Sequence, residues 1–188
     1  MDVGEVKKNT KVLIRGVPHN VESVDFVKPG KGRAIYRMKL RNLFDGSLAD
    51  ITYHSGDELE GTEVTTQEMQ YLYSDEGSYI FMNTETFEQQ AVGKDILGDK
   101  ANFLKEGMMV QATMFEDRAI DITLPTFVEL KVVQTEVALK TATAAPQGKS
   151  AILETGYTVE VPPFVREGDV IKIDTRSGAY VERVETGK

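Results

Sequence analysis

The stretch Phe26-Val27-Lys28-Pro29-Gly30-Lys31-Gly32-Arg33-Ala34 sets a lysine between two glycines, just after a proline. Pro29 fixes φ and removes a backbone donor, so a strand must end there. Gly30 and Gly32 can take φ > 0, which suits a tight hairpin loop. The stretch predicts a protruding loop with the Lys31 ammonium at its tip. Beyond it, Ala34, Tyr36, Met38 and Leu40 alternate with Arg33, Ile35, Arg37, Lys39 and Arg41. That period of two predicts a strand with one buried face and one nearly all-basic face. Residues 27–41 hold six Lys/Arg and no Asp/Glu. A cationic loop on such a strand fits a negatively charged groove, with RNA as the candidate partner. A solvated hairpin with a charged outer face has the same pattern.

Working outward, the 188-residue chain has room for one domain or up to three small ones. It has no cysteine, which excludes disulfides, a thiolate nucleophile and zinc–thiolate sites, and fits a reducing, cytoplasmic setting. The first residues lack the apolar core of a signal peptide. No apolar run approaches the ~20 residues of a membrane span, so no membrane partner is expected. The net charge of −8 argues at first against nucleic acid. Its distribution argues the other way. Residues 1–44 carry ten Lys/Arg and four Asp/Glu, so the remainder is strongly acidic. A basic head on an acidic body confines and orients any contact with phosphate.

Along the chain, Val12-Leu13-Ile14, the turn Arg15-Gly16, Val17 and Val21 to Val27 read as strands joined by tight turns. Asp45-Gly46 marks a hairpin between strands near 34–43 and 48–53. Residues 1–64 thus predict a small, curved barrel. In residues 65–127, Met69, Tyr71 and Tyr73 alternate before the turn Asp75-Glu76-Gly77, and Tyr79 to Met82 return. Residues 93–106 are the helical candidate, anchored by Ile96, Leu97, Phe103 and Leu104. Strands resume at 108–115, turn at Glu116-Asp117-Arg118 and continue at 119–124, making about five strands, as in an OB-fold. Residues 128–188 predict a third barrel, with Gly156, Gly168 and Gly178 punctuating its strands and a mobile loop at 141–149. The fold class is all-β: three small β-barrels in series.

Residues able to do chemistry are few. His19 and His54 lack a ligand-spaced partner and read as surface or loop residues, so no metal and no cofactor are expected. Asp75/Glu76 and Glu116/Asp117 fall in predicted turns, which accounts for them. A catalytic Lys31 would need burial to lower its pKa, and a glycine-flanked tip is the opposite setting. The chain therefore reads as no enzyme. Tyr71, Tyr73, Tyr79 and Phe81 could stack bases, although such alternation commonly marks a core face.

With these features in place, the chain resembles the bacterial elongation factor P family nearly end to end. Val27-Lys28-Pro29-Gly30-Lys31-Gly32 with Ala34 carries the likeness first. Tyr71-Leu72-Tyr73, Phe81-Met82-Asn83 and Glu85-Thr86-Phe87-Glu88-Gln89 carry it next. Lys149-Ser150-Ala151 through Gly168 to Asp174-Thr175-Arg176-Ser177-Gly178 completes it. The resemblance implies an N-terminal SH3-like (KOW-type) barrel and two OB-folds in an elongated L shape. It implies a monomeric translation factor bound to both ribosomal subunits between the P and E sites. There it would position peptidyl-tRNA for peptide-bond formation at consecutive prolines. Lys31, flanked by Pro29, Gly30 and Gly32, would reach the CCA end after modification by a dedicated enzyme. Arg33, Arg37, Lys39 and Arg41 would include the tRNA phosphate anchors. A second loop, Gly98-Asp99-Lys100-Ala101, would lie near the exit-site codon and a small-subunit protein; Lys100 replaces the family's usual asparagine. A paralogue with altered motif range and an RNA-acting enzyme are the competing readings.

Overall fold

The structure, a computed structural model, describes residues 1–136 and 148–188. A 3-10 turn at Val3–Glu5 precedes β1 (Lys11–Ile14), β2 (Val17–Val27), β3 (Ile35–Asn42), β4 (Leu48–His54) and β5 (Glu60–Gly61). Next come β6 (Thr65–Asp75), β7 (Ser78–Asn83), β8 (Gln89–Gly93), one helical turn α1 (Lys94–Leu97) and a 3-10 turn at Gly98–Phe103. β9 (Met109–Phe115), β10 (Arg118–Thr123), β11 (Phe127–Thr135), β12 (Lys149–Leu153), β13 (Thr158–Val161), β14 (Val170–Asp174) and β15 (Ala179–Glu185) complete the chain.

The strands form three five-stranded sheets, ordered β4-β3-β2-β1-β5, β10-β9-β6-β7-β8 and β13-β12-β11-β14-β15. Numbered within each sheet, the second and third share the order 3-2-1-4-5. Both therefore have the strand order of one small Greek-key barrel, the OB-fold. The fold is all-β, with three small barrels in series, as the alternation predicts. The mobile loop expected at 141–149 falls largely outside the described residues, and its last member, Lys149, already opens β12.

The chain falls into two compact units, residues 1–67 with 112–122 and residues 68–111 with 123–188. In the first, Val12, Val21, Met38 and Leu40 fill the core, with Tyr36 and Ile51 packed at its edge. Phe44 meets the edge of Phe115, ring centroids 6.0 Å apart, and the Arg118 guanidinium lies 5.3 Å over the Phe44 ring. In the second unit, Leu130, Val132, Leu153, Ile171 and Ile173 form one buried cluster. Phe103 joins it edge-on to Tyr157, at 5.0 Å. Tyr71 and Phe81 are core residues packed 5.5 Å apart. Tyr73 does not share their face, because a register shift between Tyr71 and Tyr73 turns it to solvent.

One five-residue turn closes a hairpin in each barrel. In the first, Asn42 O accepts from Gly46 N at 2.8 Å and Asn42 Oδ1 accepts from Phe44 N at 2.8 Å. In the second, Asn83 O accepts from Phe87 N at 2.9 Å and Asn83 Oδ1 from Glu85 N at 2.8 Å. In the third, Asp174 O accepts from Gly178 N at 2.7 Å and Asp174 Oδ1 from Arg176 N at 2.8 Å. The fifth residue is left-handed each time, with φ 75° at Gly46, 61° at Phe87 and 74° at Gly178. Glycine takes this conformation freely; another residue meets a penalty of roughly 1–2 kcal/mol. The Arg176 side chain also pairs with Asp174, at 2.8 Å. Its bonds, side-chain then backbone, hold the Asp174 carboxyl at about 2.

The C-terminal strand end is latched by Asp169, a fully buried carboxylate. It accepts from Gly187 N at 2.7 Å and Arg166 N at 3.0 Å, and Arg183 Nη1 stands 3.4 Å away. Burial alone would push its pKa up; these bonds outweigh burial and hold it below the ordinary 3.8. The carboxylate therefore stabilises the fold above pH 3.8, and that contribution fades as pH falls through the lower folded value. Asp169→Asn should cost about 1–3 kcal/mol at pH 7, the range for a disrupted buried hydrogen-bond set. Denaturant midpoints of the intact chain should show the gap between variant and wild type narrowing as pH falls below 3.8.

Candidate nucleic-acid interface

β2 and β3 pair from His19↔Asn42 to Val27↔Ile35, which leaves residues 28–34 as a loop. Lys28, Lys31 and Arg33 are exposed on it. Only one of the two glycines uses the left-handed region: Gly32 has φ 109°, and Gly30 does not have positive φ. A side chain added at either would meet nothing within 4 Å, so the tip stands clear of the barrel. Arg33 and Ala34 belong to this loop rather than to the strand, which begins at Ile35. At the root, Phe26 and Tyr36 pair across the strands with ring centroids 5.1 Å apart.

β3 alternates as read, with Met38 and Leu40 buried and Arg37, Lys39 and Arg41 exposed. The face of the sheet is nevertheless not basic. Cross-strand register sets Asp25 opposite Arg37 and Asp50 opposite Lys39. Glu22 accepts from Arg41 Nε at 2.9 Å. Hydrogen bonds from Asn20 and then Arg41 hold the Glu22 carboxyl below its ordinary value. Arg41 Nη1 donates as well to Gly46 O, at 3.2 Å. Among the described residues no ion pair engages Lys28, Lys31, Arg33, Arg37 or Lys39. Sequence alternation could find the cations of one strand; their acidic neighbours appear only once register is known.

Gly98, Asp99, Lys100 and Ala101 are not a loop but the first turn of the 3-10 segment. Gly98, with φ 53°, ends α1 and starts that turn. Asp99 is exposed and Lys100 half-buried there. This turn belongs to the second compact unit and the Lys31 loop to the first. His19 Nδ1 sits 2.9 Å from Val17 O, and His54 is exposed at the end of β4. Among the described residues no cluster of His, Asp and Glu is placed to hold a metal ion, and no helix is long and apolar enough to cross a membrane.

Comparison with known proteins agrees with this architecture. Residues 2–59 match the family model of the elongation factor P KOW-like domain, 64–122 its OB domain, and 128–183 the elongation factor P C-terminal domain. The chain is 45% identical over 97% of its length to elongation factor P 2 of Geobacter sulfurreducens, covering 98% of that protein. It is 41% identical over its whole length to elongation factor P of Aquifex aeolicus, covering 98% of that protein. A solved structure of eukaryotic translation initiation factor 5A from Methanococcus jannaschii shares the fold over 66% of this chain and 90% of that one, with TM-score 0.52 and 22% identity. The matched KOW-like and OB domains are those of a non-enzymatic translation elongation factor. The chain belongs to the elongation factor P family.

Exposure decides what substitution here should do to stability. Lys31→Ala should leave the melting temperature unchanged within error. Met38→Ala, inward-facing on β3, should cost about 2–5 kcal/mol. Parallel thermal and denaturant melts of the two variants check both outcomes.

Proposed function

We propose that this translation elongation factor binds between the P and E sites and stimulates peptide-bond formation at consecutive prolines by ordering peptidyl-tRNA. The observation that carries this reading is the Lys31 loop, exposed and free of neighbours at both flanking glycines. Its amine, extended by a modifying enzyme acting on Lys31, contacts the CCA end. Lysine suits the task as a compact charge on a flexible stem whose amine can be acylated. The first barrel, assigned to residues 1–64, rests on the tRNA; residues 65–127 and 128–188 form the two OB barrels. Gly98–Ala101 reaches the exit-site codon and the small subunit. The setting is the cytoplasm, and the factor acts as a monomer.

Proline is a constrained secondary amine and a poorly placed nucleophile. Holding the reacting ends in line can lower such a barrier by several kcal/mol without any acid or base from the factor. Phosphate contacts do the holding and read no sequence. Arg33, Arg37 and Lys39 are available for them. Arg41 must first exchange Glu22 for a phosphate.

In a reconstituted translation assay, Lys31→Ala should abolish rescue of Pro-Pro-Pro synthesis; full rescue by that variant would overturn the tip assignment. Ribosome binding should weaken with salt. Arg33→Ala should lower the slope of log affinity against log salt by about one. Arg41→Ala should lower it by less, because its charge is already spent on Glu22. Equal slopes for wild type and Arg33→Ala would remove Arg33 from the interface.

A further inference from the structure

Phe87 stands where the matching turns of the other two barrels have Gly46 and Gly178. It holds φ 61°, an outlier for a bulky residue, and its ring is 69% exposed. The chain therefore accepts backbone strain there and gains little burial from the ring. The turn itself is well bonded. Asn83 Oδ1 accepts from Glu85 N and Thr86 N at 2.8 and 3.1 Å, and Glu68 O accepts from Thr84 N at 3.3 Å. An aromatic side chain kept at an exposed, strained position on a fixed turn serves something outside the chain.

Charge chooses the partner. Glu85 and Glu88 flank Phe87 and are exposed, and Glu68 adjoins the turn. The sequence has no lysine or arginine between Arg41 and Lys94. Such a tip repels phosphate and attracts a cationic surface. We infer that the Phe87 turn is a protein-docking knob, its ring entering an apolar pocket on a basic protein of the ribosome, with Glu85 and Glu88 meeting the basic rim. A rigid aromatic anchor inside a charged rim is how binding energy is commonly concentrated. The inference rests on ribosome binding by this chain, as proposed above, and is independent of Lys31.

The test measures the affinity of the intact factor for purified ribosomes with tRNA in the P site. Phe87→Gly and Phe87→Asn restore residues suited to the left-handed position, so neither should lower the melting temperature. Both should weaken ribosome binding about tenfold, and Phe87→Trp should retain it. Glu85→Lys with Glu88→Lys should weaken it further. A photo-crosslinker at position 87 should label a ribosomal protein. Unchanged affinity in Phe87→Gly and Phe87→Asn, or crosslinks to RNA alone, would overturn the inference. If wild type itself fails to bind ribosomes, the proposed function falls; if wild type binds and Phe87→Gly binds equally, only the docking knob falls.

Discussion

Every sheet here depends on chain reversals made at positive φ. A small barrel gives each strand only a few inward residues, so the core closes only when strands reverse within two to five residues. Backbone twist then demands left-handed positions in the turns. Arg15-Gly16, Glu76-Gly77 and Glu116-Asp117 supply them in the two-residue hairpins, and the turns after Asn42, Asn83 and Asp174 supply others. Each such turn fixes the register of the strands it joins, and a slip of one residue would invert which side chains are buried. The β2–β3 connection departs from this economy. It runs through residues 28–34 and leaves its glycines without neighbours, which sets the Lys31 amine away from the barrel.

Register also decides the electrostatics. A strand carrying Arg37, Lys39 and Arg41 sounds like a phosphate-binding face. Paired with β2 and β4 it becomes a face where Asp25 stands opposite Arg37 and Asp50 opposite Lys39, and where Glu22 forms an ion pair with Arg41. Opposite charges across strands steady the sheet by a few tenths of a kcal/mol per pair. They also reduce the attraction of that surface for RNA. The cations left without such partners on the loop, Lys28, Lys31 and Arg33, become the natural points of first contact. A balanced barrel beneath a cationic tip favours oriented binding over indiscriminate binding to nucleic acid.

Much of this was legible in the sequence because period-two alternation and turn chemistry are local signals. Met38 and Leu40 inside, Arg37 and Lys39 outside, and a reversal at Glu76-Gly77 all follow from short windows. The non-local features were not legible. β5 and β8 are short and polar, held by pairing rather than by apolar pattern. Tyr73 looks inward by counting and turns outward because one register shift breaks the count. Gly98–Ala101 carries the glycine and aspartate of a loop yet folds as a 3-10 turn leading to the buried anchors Phe103 and Leu104. The acids opposite β3 come from other strands, and one of them, Asp50, lies beyond a hairpin.

The turn repeated in all three barrels was hidden for a more instructive reason. Its signal is an Asn or Asp followed four residues later by glycine, and the middle copy replaces that glycine with phenylalanine. Phenylalanine is by propensity a strand residue, and geometry shows Phe87 as a strained turn residue. Natural chains break such rules mainly where function holds the exception in place. The exposed lysine between glycines and the exposed phenylalanine in a glycine position are of one kind: each forgoes packing that its neighbours obtain. A factor that works by holding other molecules still needs such points, since a side chain consumed by its own core has nothing left to present to a partner.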